Sequence, residues 1–275
     1  MSCVFRDLPY GTGPRQLGDL HLPGSRPPGV PAAPVLLIHG GGWNSLSKES
    51  LDPIARLMVA GGRSVFSINY RLLDQAPWPA CHEDCVAAAR FMLAGGLAPN
   101  GLLAPQEGHI LVVGASAGGH LAMLTGLSLG SNACAGIVSL AGPSRVAPGP
   151  ADTAASAVRT PGFLQRFFGI TGEPASADLR AASPSAQVNF NAPPLHILHS
   201  RNDRLVPLAH SEEAITAWRA AGVPAHLEIF DGPGEQHGFW TSNDLQTRDL
   251  NPQLDHLLRL AICDMTRGGL QNLLA

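Results

Sequence analysis

The fold of this chain is decided by ten residues, which read ILVVGASAGG at positions 110–119. The apolar run 110–113 is typical of a strand that is covered on both faces of a parallel sheet. The next six residues, GASAGG, lead into a helix-like run that extends from 118 to about 129. A G-x-S-x-G pattern between a strand and a helix indicates a nucleophile elbow, a tight turn that exposes a serine hydroxyl above helix N-terminal amides. Ser116 is therefore the predicted nucleophile. A plain glycine-rich turn is the alternative, which the strand–turn–helix context disfavours.

Strands and helices alternate along the rest of the chain. Further strands are predicted at 35–38, 65–70, 135–140, 195–199 and 225–230, a short edge strand at 18–22, and helices at 50–61, 79–93, 208–221 and 245–265. This alternation predicts an α/β fold with a mostly parallel central sheet and helices on both faces. We expect one domain over residues 1–275.

Residues 143–194 interrupt this alternation. The segment is too long for an ordinary connection, and its run FLQRFF at 163–168 predicts a short amphipathic helix. We expect a small cap or lid insertion over the top of the sheet. A disordered surface loop is the alternative, because the segment is rich in Ala, Ser and Pro.

Composition excludes several classes of function. The chain is 45% hydrophobic and only 14% charged, which argues against a charge-rich disordered chain and a coiled coil. A net charge of −3 provides no basic field for nucleic acid or an anionic membrane. The uncharged stretch 109–132 divides into strand, turn and helix, so no membrane span is predicted. No apolar signal segment follows Arg6 and Asp7, and we expect a cytoplasmic protein.

The cysteines indicate neither disulfides nor a metal site. Five are scattered along the chain, and an odd, scattered set is typical of reduced intracellular thiols. Cys81 and Cys85 share one face of a predicted helix, which invites a metal or redox interpretation, but no second pair completes a zinc site. No metal and no cofactor are predicted.

A second motif, HGGGW at 39–43, ends the first central strand. Three consecutive glycines let the backbone turn its N–H groups into a cavity without obstruction by Cβ atoms. Such amides, together with the amide of Ala117, are suited to stabilise an oxyanion. A phosphate-binding loop is disfavoured because neither a G-x-x-x-x-G-K-[ST] run nor a G-x-G-x-x-G run follows.

A serine nucleophile needs a base and an orienting acid, which follow it on such a sheet in the chain order acid, then histidine. Asp203 lies just after the predicted strand 195–199 and is the expected acid; Asp231 is the alternative. His237 lies in a glycine-rich loop after the last predicted strand and is the expected base. Three other histidines lie inside predicted strands and are interpreted as packing residues: His196, His199 and His226. His210 begins a predicted helix on the wrong side of this chain order.

These motifs resemble the α/β-hydrolase fold, in particular its HGGG-type esterase branch. That branch includes hormone-sensitive-lipase-like carboxylesterases and a bacterial group of feruloyl esterases and kynurenine-formamidase-like enzymes. The matching segments are 18–20, 39–43, 69–72, 78–80 with 83–84, 114–121, 183–184, 193–195, residue 203 with 206–207, 222–223 and 237–239. Residues 73–75 read LDQ where the lipase-like subgroup has Ala-Pro-Glu, which favours the feruloyl-esterase and formamidase-like group.

The resemblance implies a triad of Ser116, Asp203 and His237. It also implies backbone donors to the oxyanion, namely Gly41, Gly42 and Ala117. It further suggests a structural pair of Arg71 with Asp84. Four aromatic side chains beside the motifs are expected either to line an acyl or aromatic pocket or to pack in the core: Trp43, Trp78, Phe239 and Trp240.

The expected function is a carboxylesterase that cleaves small carboxylic esters through an acyl-enzyme. Two alternatives stay open: an arylformamidase that hydrolyses N-formylkynurenine with the same triad, and a non-catalytic binding protein on the same fold. The expected ligand is a small-molecule ester. The oligomeric state is open, with a homodimer among the options.

Overall fold

A computed structural model describes residues 2–25, 33–97, 108–150, 152–231 and 237–241. The strands of this part of the chain are β1 Cys3–Pro9, β2 Leu17–Leu22, β3 Val35–Ile38, β4 Val65–Ile68, β5 Ile110–Ala115, β6 Cys134–Leu140, β7 Leu195–Ser200 and β8 Ala225–Phe230. The helices are α1 Asp52–Ala60, α2 Ala80–Leu93, α3 Ala117–Leu129, α4 Phe163–Phe168, α5 Ser176–Ala181 and α6 Ala209–Ala220.

The strands form one sheet with the order β1-β2-β4-β3-β5-β6-β7-β8. Pairing is parallel from β4 through to β8 and antiparallel between β1 and β2 and between β2 and β4. The predicted α/β-hydrolase architecture, with a mostly parallel sheet, is confirmed. Since the carboxyl ends of parallel strands lie at one edge, the turns after β3, β5 and β7 meet there.

Both faces of the sheet are covered, which explains the continuous apolar runs. In β3, Leu36 and Ile38 pack into one hydrophobic cluster with residues of α2, α3 and α6. The alternate residues Val35 and Leu37 pack into a second cluster with residues of α1. Every residue of β3, β4, β5 and β7 is buried.

The N-terminal hairpin corrects one prediction. The strand expected at the edge, β2, lies inside the sheet between β1 and β4, and the edge strand is β1. Six of the seven residues of β1 are exposed, so the strand has no alternating apolar pattern. Arg6 and Asp7 at its centre are charged, and the sequence therefore indicated a polar N-terminal segment and not a strand. The helix predicted at 245–265 lies outside the described residues.

The segment 143–194 contains α4, predicted at the same bounds, and α5, which the sequence analysis missed. α5 has no buried residue, and an exposed helix of six residues carries no apolar stripe. α4 buries Phe163 and Phe167, and both rings lie against Trp43. The role of this segment as a cap or lid stays a prediction.

None of the helices in the described part of the chain combines the length and apolar composition that a membrane span requires.

Candidate active site

Ser116 lies at the turn from β5 to α3 in a strained backbone conformation. Its φ is 55° and its ψ is −122°, a region that ordinary residues avoid and that costs on the order of 1–3 kcal/mol. The turn is so tight that a Cβ on Gly114 would stand 2.0 Å from the carbonyl oxygen of Gly118. A Cβ on Gly118 would stand 2.1 Å from the carbonyl oxygen of Ile38. The two glycines of the motif are therefore required by backbone packing on both sides of the serine.

The structure brings Ser116, His237 and Asp203 into one hydrogen-bonded chain. The Nε2 atom of His237 lies 2.8 Å from the Oγ of Ser116, and its Nδ1 lies 2.7 Å from Oδ2 of Asp203. A carboxylate only accepts, so Nδ1 carries the proton and Nε2 is free to accept the serine proton. This is the arrangement in which an imidazole can act as a general base toward a hydroxyl.

The carboxylate of Asp203 is fully buried and fixed by its own turn. Its Oδ1 accepts hydrogen bonds from the backbone N–H groups of Leu205 and Val206, each at 2.9 Å. Nε2 of His199 lies 3.4 Å from Oδ2. Burial by itself would raise the pKa of Asp203, but the hydrogen bonds from His199 and His237 outweigh it and lower that pKa below its usual range. Asp203 is thus held ionised where it faces the imidazole.

The glycine triplet forms a loop directly beside the nucleophile turn. A Cβ on Gly40 would come within 3.1 Å of the Cβ of Ser116. Gly41 and Gly42 have φ angles of +99° and +58°, which glycine adopts without steric cost. Gly41 also has no room for a side chain, since an added Cβ would lie 2.1 Å from the backbone oxygen of Ser45.

Hydrogen bonds set the direction of the loop amides. The carbonyl of Gly40 accepts from the hydroxyl of Tyr70 and from Nδ1 of His39. The carbonyl of Gly41 accepts from the N–H of Asn44 and from both the N–H and the Oγ of Ser45. In a trans peptide the N–H points opposite to the preceding C=O. The N–H groups of Gly41 and Gly42 therefore point away from these anchors. Ala117 begins α3, so its N–H has no acceptor within the helix.

The four predicted aromatic residues divide between two places. Trp43 is buried against α4, and Trp78 stacks on Phe167 at 5.4 Å. Phe239 and Trp240 lie on the histidine side, where the Trp240 ring meets His237 edge-on at 5.6 Å.

A cavity of about 400 Å³ opens beside Gly42. Of the four predicted aromatic residues, Trp43 lines this cavity in the described part of the chain. The other lining residues are Gly42, Asn44, Leu73, Asp74, Ala157, Thr160, Phe163 and Arg166. The contribution of residues 157–166 to this cavity was not predicted, because no local pattern shows which part of a long insertion faces the loop after β3.

The competing acid and base candidates have other partners. Asp231 forms an exposed ion pair with Arg201. His210 lies 3.0 Å from a carboxylate oxygen of Asp152. His199, interpreted from the sequence as a packing residue, is buried in β7 and also contacts Asp203, a role that its position in a strand did not indicate.

The expected pair of Arg71 and Asp84 is confirmed. The guanidinium Nη2 lies 2.7 Å from Oδ1 of a buried Asp84, while Arg71 itself is half-buried. The thiols of Cys81 and Cys85 are buried and free, and burial raises the pKa of Cys81 to about 12. Over the described ranges, no group of three or more His, Cys, Asp or Glu side chains is placed to hold a metal ion.

A family model and several known proteins match this chain. The family model described as BD-FAE matches residues 19–217. The chain is 30% identical over 265 residues to the esterase LipQ of Mycobacterium tuberculosis, covering 88% of this chain and 59% of LipQ. It is 28% identical to the probable carboxylic ester hydrolase LipM of the same organism, covering 75% of this chain and 49% of LipM. The chain thus spans between half and six-tenths of the length of these relatives.

Solved structures share the fold at low sequence identity. Esterase B from Lactobacillus rhamnosis superposes with a TM-score of 0.77 at 18% identity, covering 98% of this chain and 88% of that one. A truncated carbohydrate esterase from gut microbiota superposes with a TM-score of 0.73 at 19% identity, covering 94% and 96%.

Proposed function

The chain belongs to the BD-FAE family of α/β-hydrolases, and from that premise we propose that it hydrolyses small carboxylic esters through an acyl-enzyme on Ser116. The observation that carries the proposal is the pair of hydrogen bonds that join His237 to Ser116 at 2.8 Å and to Asp203 at 2.7 Å. The names of the relatives LipQ and LipM, an esterase and a probable carboxylic ester hydrolase, support the same reaction class.

His237 moves the proton in each half of the reaction. Its Nε2 takes the Ser116 proton as Oγ attacks the ester carbonyl, and the imidazolium then protonates the leaving alcohol. A water molecule then attacks the acyl carbon while Nε2 accepts its proton, and the imidazolium returns this proton to Oγ of Ser116 as the acyl–serine bond breaks and the carboxylic acid leaves. Asp203 holds the imidazole in the tautomer with the proton on Nδ1 and stabilises the cation that forms between these steps.

The negative charge on the carbonyl oxygen is proposed to rest on the N–H groups of Gly41, Gly42 and Ala117. Their carbonyl anchors and the helix start support this role, because donors that are already oriented need no reorganisation when the charge appears. Each such donor is worth on the order of 10²–10³ in kcat.

Replacement of the nucleophile tests the proposal. Ser116→Ala is expected to abolish hydrolysis of p-nitrophenyl acetate and labelling by a fluorophosphonate probe, with an unchanged thermal unfolding curve. Ser128→Ala is the matched control, because Ser128 lies at an exposed position on α3, the helix that follows Ser116. Wild-type turnover or labelling in Ser116→Ala would contradict the assignment, and a wild-type chain that the probe never labels would favour a non-catalytic binding protein.

The ester is the proposed substrate class because the relatives are named an esterase and a probable carboxylic ester hydrolase. A panel of p-nitrophenyl esters with increasing acyl length, measured beside N-formylkynurenine, distinguishes an esterase from an arylformamidase by kcat/KM. We expect the ester to be preferred. The cytoplasmic location and the oligomeric state stay predictions.

A further inference from the structure

His120 joins three segments that contribute to the candidate active site. It lies on α3, one helical turn after Ser116, and its side chain is fully buried. Its Nδ1 lies 3.2 Å from the indole Nε1 of Trp43, the residue that follows Gly42. Its Nε2 lies 2.8 Å from the carbonyl oxygen of Ala182, in the segment 143–194.

Only one protonation state of His120 satisfies both contacts. The indole N–H of Trp43 is a donor only, so Nδ1 must be the acceptor. The carbonyl of Ala182 is an acceptor only, so Nε2 must carry the proton. Burial lowers the pKa of His120 to about 3, which keeps the imidazole in this neutral form at neutral pH. The two nitrogens therefore have distinct and separable tasks.

The first contact restrains the loop that carries the proposed oxyanion donors. Trp43 has a φ of +59°, a left-handed conformation that costs a side-chain-bearing residue free energy and persists only when its surroundings impose it. The hydrogen bond to His120 and the packing of the indole ring on Phe163 and Phe167 supply that restraint. Gly42 directly precedes Trp43, so we expect a displaced indole to disturb the backbone that carries the N–H of Gly42.

The second contact restrains the opposite wall of the cavity. Trp43 lines the cavity from the glycine loop, whereas Thr160, Phe163 and Arg166 line it from the segment 143–194. Ala182 belongs to the same segment, is fully buried and directly follows α5. The hydrogen bond from His120 to Ala182 thus ties this segment to the nucleophile helix.

We propose that His120 is a positioning residue with two tasks: Nδ1 holds Trp43 and with it the proposed oxyanion donor Gly42, and Nε2 holds the segment 143–194 at the cavity beside Gly42, which we take as the substrate's place. This inference rests on the proposed esterase function. The first task acts on the transition state and therefore on kcat. The second acts on the shape of the cavity and therefore on KM.

Two amide substitutions separate the tasks. In His120→Asn the amide oxygen lies near the place of Nδ1, so the acceptor for Trp43 is retained while the donor to Ala182 is lost. In His120→Gln the longer side chain carries an amide N–H₂ to the place of Nε2, so the donor is retained and the acceptor is lost. A structural role alone would lower kcat and raise KM together in both variants.

The expected result is a split between kcat and KM on p-nitrophenyl esters. His120→Gln is expected to lower kcat by about 10²-fold, the effect of a displaced oxyanion donor, with KM within about twofold. His120→Asn is expected to raise KM by about tenfold, the effect of roughly one lost hydrogen bond, with kcat within about threefold. Trp43→Phe keeps an aromatic ring and removes the N–H, so its kcat is expected to match that of His120→Gln. The double variant that combines Trp43→Phe with His120→Gln is expected to lose no further activity.

Controls keep the outcome interpretable. His196→Gln replaces another buried histidine, on β7, and is expected to leave both parameters unchanged. Thermal unfolding establishes that each variant is folded; if a His120 variant is not, Trp43→Phe decides the first task alone. Equal changes in kcat and KM for the Asn and Gln variants, or an unchanged kcat in Trp43→Phe, would overturn the inference. Failure of the proposed function is distinguishable, since the wild-type chain would then hydrolyse no ester and bind no fluorophosphonate.

Discussion

The two turns that present Ser116 and Asp203 are held by different means. The turn at 114–119 is backbone packed on backbone, with no room for a Cβ at Gly114 or Gly118. The turn that starts at Asp203 is held by that residue's own carboxylate, which accepts two backbone N–H groups and the imidazole of His237.

The two turns are sensitive to different kinds of substitution. A region held by sterics tolerates no added atom, yet depends little on charge. A region held by a carboxylate tolerates small changes in shape, yet depends on the charge and on the direction of each hydrogen bond. Three experiments test this difference.

The largest expected effect belongs to Asp203→Asn. The amide oxygen can still accept from Leu205 and Val206, so we expect the turn and the unfolding temperature to be retained. The amide N–H₂ then faces Nδ1 of His237 and favours the tautomer with the proton on Nε2, which cannot accept from Ser116. A loss of about 10⁴ in kcat is expected, as for the same change in serine proteases.

Kinetics on p-nitrophenyl acetate check this prediction. Asp231→Asn is the matched control, since this carboxylate also follows a strand but is paired at the surface with Arg201; its activity is expected to stay at the wild-type level. A loss of less than tenfold in the kcat of Asp203→Asn would contradict the proposed dependence of this turn on charge.

The steric side of the comparison predicts an effect on stability. In Gly118→Ala the new methyl group would meet the carbonyl oxygens of Ile38 and His39 at 2.1 and 2.4 Å. We expect a loss of about 3 kcal/mol or more in the free energy of unfolding, because the obstacle is backbone and not a movable side chain. Urea denaturation measures it.

Gly172→Ala is the control for this substitution. No atom lies within 4 Å of its added Cβ, and a surface change of this kind alters stability by about 0.5 kcal/mol at most. Equal stability of the two alanine variants would mean that the nucleophile turn can relax, and the comparison would then fail.

The smallest expected effect is a difference in the pH at which acid destabilises the fold, between the buried histidines His39 and His120 beside the nucleophile turn and the carboxylate of Asp203. Burial lowers the pKa of His39 to about 4 and that of His120 to about 3, from 6.5. Below pH 6.5 the unfolded chain takes up these protons and the folded chain does not, so stability falls with decreasing pH. At pH 5 each of these histidines lowers the free energy of unfolding by about 2 kcal/mol relative to neutral pH. Asp203, whose pKa is lowered, stabilises the fold above pH 3.8 and loses this contribution only at lower pH.

Urea unfolding at pH 7, 6, 5 and 4 measures this slope. His39→Asn cannot titrate and keeps an N–H donor near the carbonyl of Gly40, so its stability is expected to fall less steeply between pH 6.5 and 4 than that of the wild type. Parallel curves for the two proteins would show that His39 takes up its proton in the folded state.

Local patterns predicted most of the sheet and its helices, but not the edges. The apolar runs of β3, β4, β5 and β7 are visible because these strands are covered on both faces. β1 was missed because an edge strand with six exposed residues leaves no apolar signature. α5 was missed for the same reason, since it buries no residue.

The sequence by itself determined the nucleophile turn, the glycine loop and the alternation of strands and helices along the chain from β3 to β8, because these depend on backbone sterics and on periodicity within a few residues. Only the tertiary structure decided that Trp43 reaches His120 across 77 residues and that His120 reaches Ala182 across 62. Such contacts depend on how whole segments pack together. A hydrogen bond forms only when its two atoms come within about 3 Å of each other, and no local pattern carries that distance.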